Sequence, residues 1–175
     1  KPEDGSGLDP SRLHNKNRTN GNAQFTNTYL KRVRYGNRSV YASRGEIFPA
    51  PDEFFFETVF DYSEHDTVIP FGETSAWAFR PDAFSVYRSG FEIRTCRLCK
   101  RVLLYHHFTE LPGGSALIRS LEFLYETNGQ DGFSFLKEII ATGYTKHDAG
   151  SYTQQVLPPF SFSYQKHNWN TEVET

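Results

Sequence analysis

Eighteen consecutive residues, Phe91 to Phe108, contain neither proline nor glycine and run with a two-residue period. Phe91, Ile93, Thr95, Arg97, Cys99, Arg101, Leu103 and Tyr105 share one parity, and Glu92, Arg94, Cys96, Leu98, Lys100, Val102 and Leu104 share the other. The β-branched and aromatic content favours strand over helix. At about 3.3 Å per residue such a strand would span roughly 60 Å, beyond the usual length of a globular strand. Either a bulge breaks it, or the sheet is large and curved.

The same period recurs on both sides of this run. Tyr29, Val33 and Tyr35 alternate with Arg32 and Arg34 up to a turn at Gly36-Asn37. Phe54, Phe56, Thr58, Phe60 and Tyr62 fall on one parity, which predicts a second strand with an aromatic inner face. Pro112-Gly113-Gly114 leads into a strand from Leu117 to Glu126, and the turn at 128–132 leads into Phe133 to Tyr144, with a last strand at Phe160 to Tyr164. Phe135 to Ile140 alone has helical character, but Gly132 and Gly143 leave too little length for a helix. Residues 64–90 carry turn chemistry at Pro70-Phe71-Gly72, Arg80-Pro81-Asp82 and Ser89-Gly90 and read as a long packed loop.

These elements predict a mainly β chain, an antiparallel meander-like sheet or sandwich with long curved strands and little helix. Residues 1–28 read as an irregular arm, with Asp9-Pro10 opening a short helix over about 10–16. Residues 29–165 form the β region, and 166–175 a tail toward a following domain.

A chain of 175 residues holds one hydrophobic core. Its net charge of −2 and pI near 6.3, with no basic block longer than Lys31 to Arg34, lack the electrostatic footprint of a nucleic-acid binder. No apolar run approaches the roughly 18 residues of a membrane helix, so direct membrane insertion is not expected. The absence of methionine, even at position 1, suggests a segment of a longer protein.

Several residue groups could carry chemistry. Cys96-Arg97-Leu98-Cys99 with His106-His107 suggests zinc, but positions 96 and 99 of one strand face opposite ways, as do 106 and 107. The same objection meets a Cys96–Cys99 disulfide, so two free thiols packed in a sheet are expected, with no cofactor. Glu64-His65-Asp66 and Arg80-Pro81-Asp82 offer acid, base and cation. The simpler reading pairs these charges with one another and with Arg94, Arg97 and Arg101. Glu172-Val173-Glu174 matches the paired glutamates of ADP-ribosyltransferases, yet it follows the last strand and has no Ser-Thr-Ser strand upstream. Asn17-Arg18-Thr19 and Asn37-Arg38-Ser39 fit the N-glycosylation pattern, which matters only in a eukaryotic secretory pathway. Of the 28 aromatic residues, most are assigned to the core; Trp77, Trp169 and surface tyrosines, if exposed, would suit a glycan- or protein-binding module.

Ala78-Phe79-Arg80-Pro81-Asp82-Ala83-Phe84-Ser85, then Tyr87 to Thr95, Arg97-Leu98-Cys99 and His106-His107-Phe108 resemble the SpvB-like region of Tc insecticidal toxin B components. The likeness extends back through Phe60 to Asp66 and Tyr29 to Asn37, and forward through Thr142-Gly143-Tyr144 and Leu157 to Phe160. It covers about residues 3–165. Ala83 and Cys96 depart from the family pattern, where proline and tyrosine are usual, and the second further weakens a metal role. The resemblance implies an internal segment just before a β-propeller, forming part of a secreted hollow shell. That shell encloses a cytotoxic C-terminal polypeptide of the C component and hands it to the pore-forming A component. It implies no catalysis here, because in SpvB the ADP-ribosyltransferase is a separate C-terminal domain.

Overall fold

The computed structural model of the chain describes residues 1–18, 25, 27–40, 50–127 and 132–165. The strands are β1 (Arg32–Asn37), β2 (Phe54–Asp61), β3 (Phe84–Val86), β4 (Ile93–Thr95), β5 (Arg101–His106), β6 (Ala116–Thr127), β7 (Ser134–Lys146), β8 (Tyr152–Val156) and β9 (Phe160–Ser161). Seven of them form one sheet in the order β1-β2-β5-β6-β7-β8, with β9 also paired to β7, while β3 and β4 form a separate ribbon. All described pairings are antiparallel, as the alternating patterns and short turns predict.

The long run from Phe91 to Phe108 is not one strand. It supplies β4 to the ribbon and β5 to the centre of the sheet, with Cys96 to Lys100 irregular between them. The break has a physical cause: Arg97 turns inward, its side chain fully buried against Glu3 of the arm. Backbone groups lost from a ladder find other partners, Arg80 N–H donating to Cys96 O at 2.8 Å and Lys100 N–H to Asp61 O at 2.8 Å. The long strands lie elsewhere, in β6 with 12 residues and β7 with 13. Register shifts at Leu104/Tyr105 and Leu124/Tyr125 bend them.

The buried face of β2 is the opposite of the one its phenylalanines predict. Glu57, Val59 and Asp61 are buried, whereas Phe54, Phe55, Phe56 and Phe60 are half-buried. Val59 faces Leu103, Leu103 faces Ser120, and Ser120 faces Thr142, so one buried row crosses four strands. Val59 and Leu103 of this row form the main apolar core with Leu117 and Tyr144, and Ile69 and Phe71 of the long loop pack against it. The charged members of β2's inner face are tolerated because each meets a cation, as described below. The phenylalanines instead stack at the margin, Phe55 on Phe108 at 5.0 Å and Phe56 on Tyr35 at 4.9 Å.

A second cluster joins Tyr29, Tyr62 and Trp77 edge to face at 5.4 to 6.2 Å. The arm's helical turn is a 3-10 segment at Leu13–Arg18 rather than a helix from residue 10, since the Asp9 side chain closes a local turn on Ser11 N–H at 2.9 Å. Strand β8 was not predicted: Thr153, Gln154 and Gln155 give a polar, exposed edge with no apolar alternation. Strand β9 stops at Ser161, short of the predicted Tyr164, although Phe162 N–H still bonds Lys137 O at 2.8 Å. The tail from 166 onward, with Trp169, Glu172 and Glu174, lies outside the described residues.

Candidate functional site

The charged residues converge on two adjoining seams that tie the arm and the long loop to the sheet. In the first, Arg97 Nε donates to Glu3 Oε2 at 2.8 Å and its Nη2 to Glu3 Oε1, a bidentate pair with both side chains fully buried. Nη1 donates to Trp77 O at 2.8 Å, and the guanidinium stacks 4.3 Å from the Trp77 ring centre. Trp77 Nε1 donates to Asp4 Oδ1 at 2.9 Å. Burial alone would raise the Asp4 carboxyl, but hydrogen bonds from Ser6 and Trp77 and the Arg97 charge hold it at about 2.

The second seam is centred on Asp61 at the end of β2. Its Oδ1 accepts the N–H groups of Glu64 (2.9 Å) and His65 (3.2 Å), and its Oδ2 accepts Arg101 Nε at 2.7 Å. Arg101 also donates to the carbonyls of His65 and Asp66 at 2.7 and 2.9 Å and lies 4.5 Å over Phe71. Glu64 is paired with both Lys1 and Lys31, and Glu73 with Arg32 at 2.6 Å. His65 Nδ1 lies 3.0 Å from Asp61 Oδ1 but outside hydrogen-bonding alignment, and Nε2 lies 3.6 Å from Glu73. Farther along β2, Glu57 meets Arg32, Arg34 and His107.

The remaining predicted residues are structural ties. Arg80 grips Asp82 through two bonds of 2.8 and 2.9 Å, and Asp82 accepts both Ser134 N–H and Ser134 Oγ, fixing the loop to the start of β7. Pro81 O accepts Arg12 at 3.3 Å. The Asp66 side chain accepts Val68 and Gly72 N–H, both at 3.1 Å, and so closes its own loop. Arg94 bonds Ser85 Oγ at 3.1 Å.

Arg80 and Asp82 pair with each other as expected, whereas Arg97 and Arg101 find other partners. Arg97 meets Glu3 and Asp4, and Arg101 reaches the Glu64-His65-Asp66 segment only through backbone carbonyls and Asp61. Glu3 and Asp4 were missed because a polar arm more than 90 residues from Arg97 gives no sequence signal of contact, and Asp61 because its partner Arg101 lies 40 positions away.

Cys96, Cys99, His106 and His107 do not gather. Among the described residues only Asp61, Glu64 and His65 bring three ligand-type atoms within 4.8 Å, and protein cations already sit on both carboxylates. Both cysteines are free. Burial pushes both thiols up, Cys99 to about 11, and the Cys99 Sγ–H points to Arg101 O at 3.3 Å. His106 packs edge-on against Phe56 at 5.0 Å. Trp77 is 2% exposed, so it offers no surface for a receptor. These seams hold segments together by neutralised, directional pairs.

The family described as SpvB, Salmonella virulence plasmid 65kDa B protein, matches residues 1–108, more than half of the chain. The chain belongs to the SpvB family. Mono(ADP-ribosyl)transferase SpvB of Salmonella typhimurium is 40% identical over 108 aligned residues, 57% of this chain and 18% of that protein. The chain therefore spans less than a fifth of that relative's length. Among solved structures, TcdB2-TccC3-Cdc42 matches 95% of the chain with a TM-score of 0.73 at 31% identity, over 8% of its own length. The Photorhabdus luminescens Tc holotoxin pore carrying TccC3-D651A matches 94% of the chain at 29% identity, also with a TM-score of 0.73 and 8% of its own length. The N-terminal domain of the effector SpvB from Salmonella typhimurium strain LT2 matches 94% of the chain at 26% identity, with a TM-score of 0.56 and 45% of that domain covered. The SpvB-family fold thus recurs in bacterial toxin components and in the N-terminal domain of SpvB.

Proposed function

We propose that this SpvB-family chain is a non-catalytic wall segment of a secreted Tc-type toxin B component, helping to enclose and deliver a cytotoxic C-terminal polypeptide. Its partners on this reading are the remainder of the B chain including a β-propeller, the C component and, indirectly, the pore-forming A component. One observation carries the reading: 95% of the chain superposes on a stretch that makes up only 8% of a far larger TcdB2-TccC3 chain. An extended antiparallel sheet whose edge strands are unpaired on one side among the described residues, with internally neutralised charges, suits a piece that neighbouring segments complete.

The test is co-purification of the tagged chain with a Tc-type B chain from which the matching segment has been deleted. Stoichiometric capture is expected. A chain that stays monomeric, melts cooperatively and ignores the rest of the B chain overturns the wall reading and favours an autonomous binding module. The non-catalytic part is tested separately, since NAD-dependent labelling of a target by the pure chain would sink it.

A further inference from the structure

The first six residues sit in the fold as a bound peptide would. Glu3 N–H donates to Asn27 O at 3.0 Å, Tyr29 N–H donates to Lys1 O at 2.9 Å, and Pro2 bridges Thr28 in antiparallel register. This is the pairing by which an extended ligand adds to a backbone edge. Side chains then enter a socket: Glu3 takes the bidentate fork of Arg97, and Asp4 takes the Trp77 indole N–H and, at 3.3 Å, Arg97 Nη2. Ser6 Oγ also lies 3.3 Å from Arg97 Nη2. Gly5 has φ +72°, and a Cβ there would stand 2.7 Å from the Phe25 ring, so this position takes only glycine. The socket's own members come from distant parts of the chain, Trp77 and Phe79 from the long loop and Arg97 from the break before β5. A fully buried guanidinium held against two aromatic faces is preorganised for carboxylates, which a lysine could not match.

We propose that the Arg97–Trp77 socket and the adjoining backbone of residues 27–29 form a docking site for an extended acidic peptide of the form Glu-Asp-Gly. The chain's own residues 1–6 fill it in this structure, and it accepts the same sequence supplied in trans. This inference does not depend on the shell reading, because it concerns only contacts within the chain.

The experiment uses the full chain with Glu3→Gln and Asp4→Asn, which weakens the resident segment and leaves the socket intact. Binding of a fluorescently labelled Lys-Pro-Glu-Asp-Gly-Ser peptide is followed by anisotropy beside the counterpart Lys-Pro-Gln-Asn-Gly-Ser. Saturable binding of the acidic peptide, at least about tenfold tighter than its neutral counterpart, is expected from loss of the charge-assisted fork. Equal binding of the two peptides, or none to a variant with a folded circular dichroism spectrum, overturns the proposal. Should the variant not fold, the wild-type chain decides: excess acidic peptide should speed hydrogen exchange of the Glu3 amide about tenfold, as expected if it competes with the resident segment. An unchanged rate overturns it.

Discussion

Asp61 shows how a single buried carboxylate organises its surroundings. Burial would raise its carboxyl, but hydrogen bonds from Arg101 and the His65 backbone N–H and the Arg101 charge hold it well below the usual carboxylate range. A depressed folded value means that the stabilisation is complete above the unfolded carboxyl's value of about 4 and is lost as pH falls toward the folded one. Asp61→Asn leaves Arg101 half-paired and is expected to cost about 3–5 kcal/mol in urea unfolding at pH 7. The difference from wild type should shrink progressively below about pH 4. The cysteines give a second check. With both thiols held protonated and Cys96 fully buried, iodoacetamide at pH 8 should label neither in the native chain and both in denaturant, as read by mass spectrometry. Rapid native labelling of Cys96 would contradict its burial. None of this was visible at the sequence level for Glu3, Asp4 or Asp61, because period and composition report local structure and not which distant charges meet. Arg80 and Asp82 were legible as a pair, being two residues apart.

At the level of elements, alternation located β2, β6 and β7 closely, because each has β-formers bounded by glycine or proline turns. It failed where side-chain chemistry overrode the period. Arg97 left its ladder for Glu3, splitting the longest run, and β2 buried the parity bearing Glu57, Val59 and Asp61 while its rings stacked at the edge. Strand β8 carried too weak a signal, with Tyr152 and Val156 separated by Thr153 and two glutamines. The structure makes Leu103 the centre of the core: it is fully buried on β5, between Val59 and Ser120. Leu103→Ala is expected to lower stability by about 2–5 kcal/mol in chemical denaturation. Tyr144→Phe, which removes only the 2.9 Å bond to Ser120 Oγ, should cost about 1 kcal/mol. A larger loss from Tyr144→Phe than from Leu103→Ala would mean that the polar part of the buried row dominates.

The whole molecule is asymmetric in how its sheet ends. On the β1 side the edge carries Arg32 and Arg34, both ion-paired. On the β8–β9 side Val156, Leu157 and Phe160 are 55 to 70% exposed, with Phe133 at 58%. Pro158-Pro159 removes two backbone donors there, which blunts but does not cover the edge. An uncovered apolar edge promotes association. The isolated chain should therefore show concentration-dependent sedimentation, and Leu157→Lys with Phe160→Lys should abolish it while leaving the melting curve within a few degrees of wild type. Unchanged self-association in that variant would move the sticky surface elsewhere.

The sheet order also sets a timetable. From β5 onward each strand pairs with the next in the chain, so β5 to β8 can zip together through short turns. The exception is β2 on β5, where Asp61 aligns with Arg101, 40 positions further along the chain. That closure carries the largest entropy cost of any strand pairing described here, and it cannot be rewarded until the Asp61–Arg101 contact forms. The C-terminal half should therefore acquire protected amides first in pulse-labelling experiments. The arrival of β2, bringing β1 and Val59 with it, should be the slow step that completes the core.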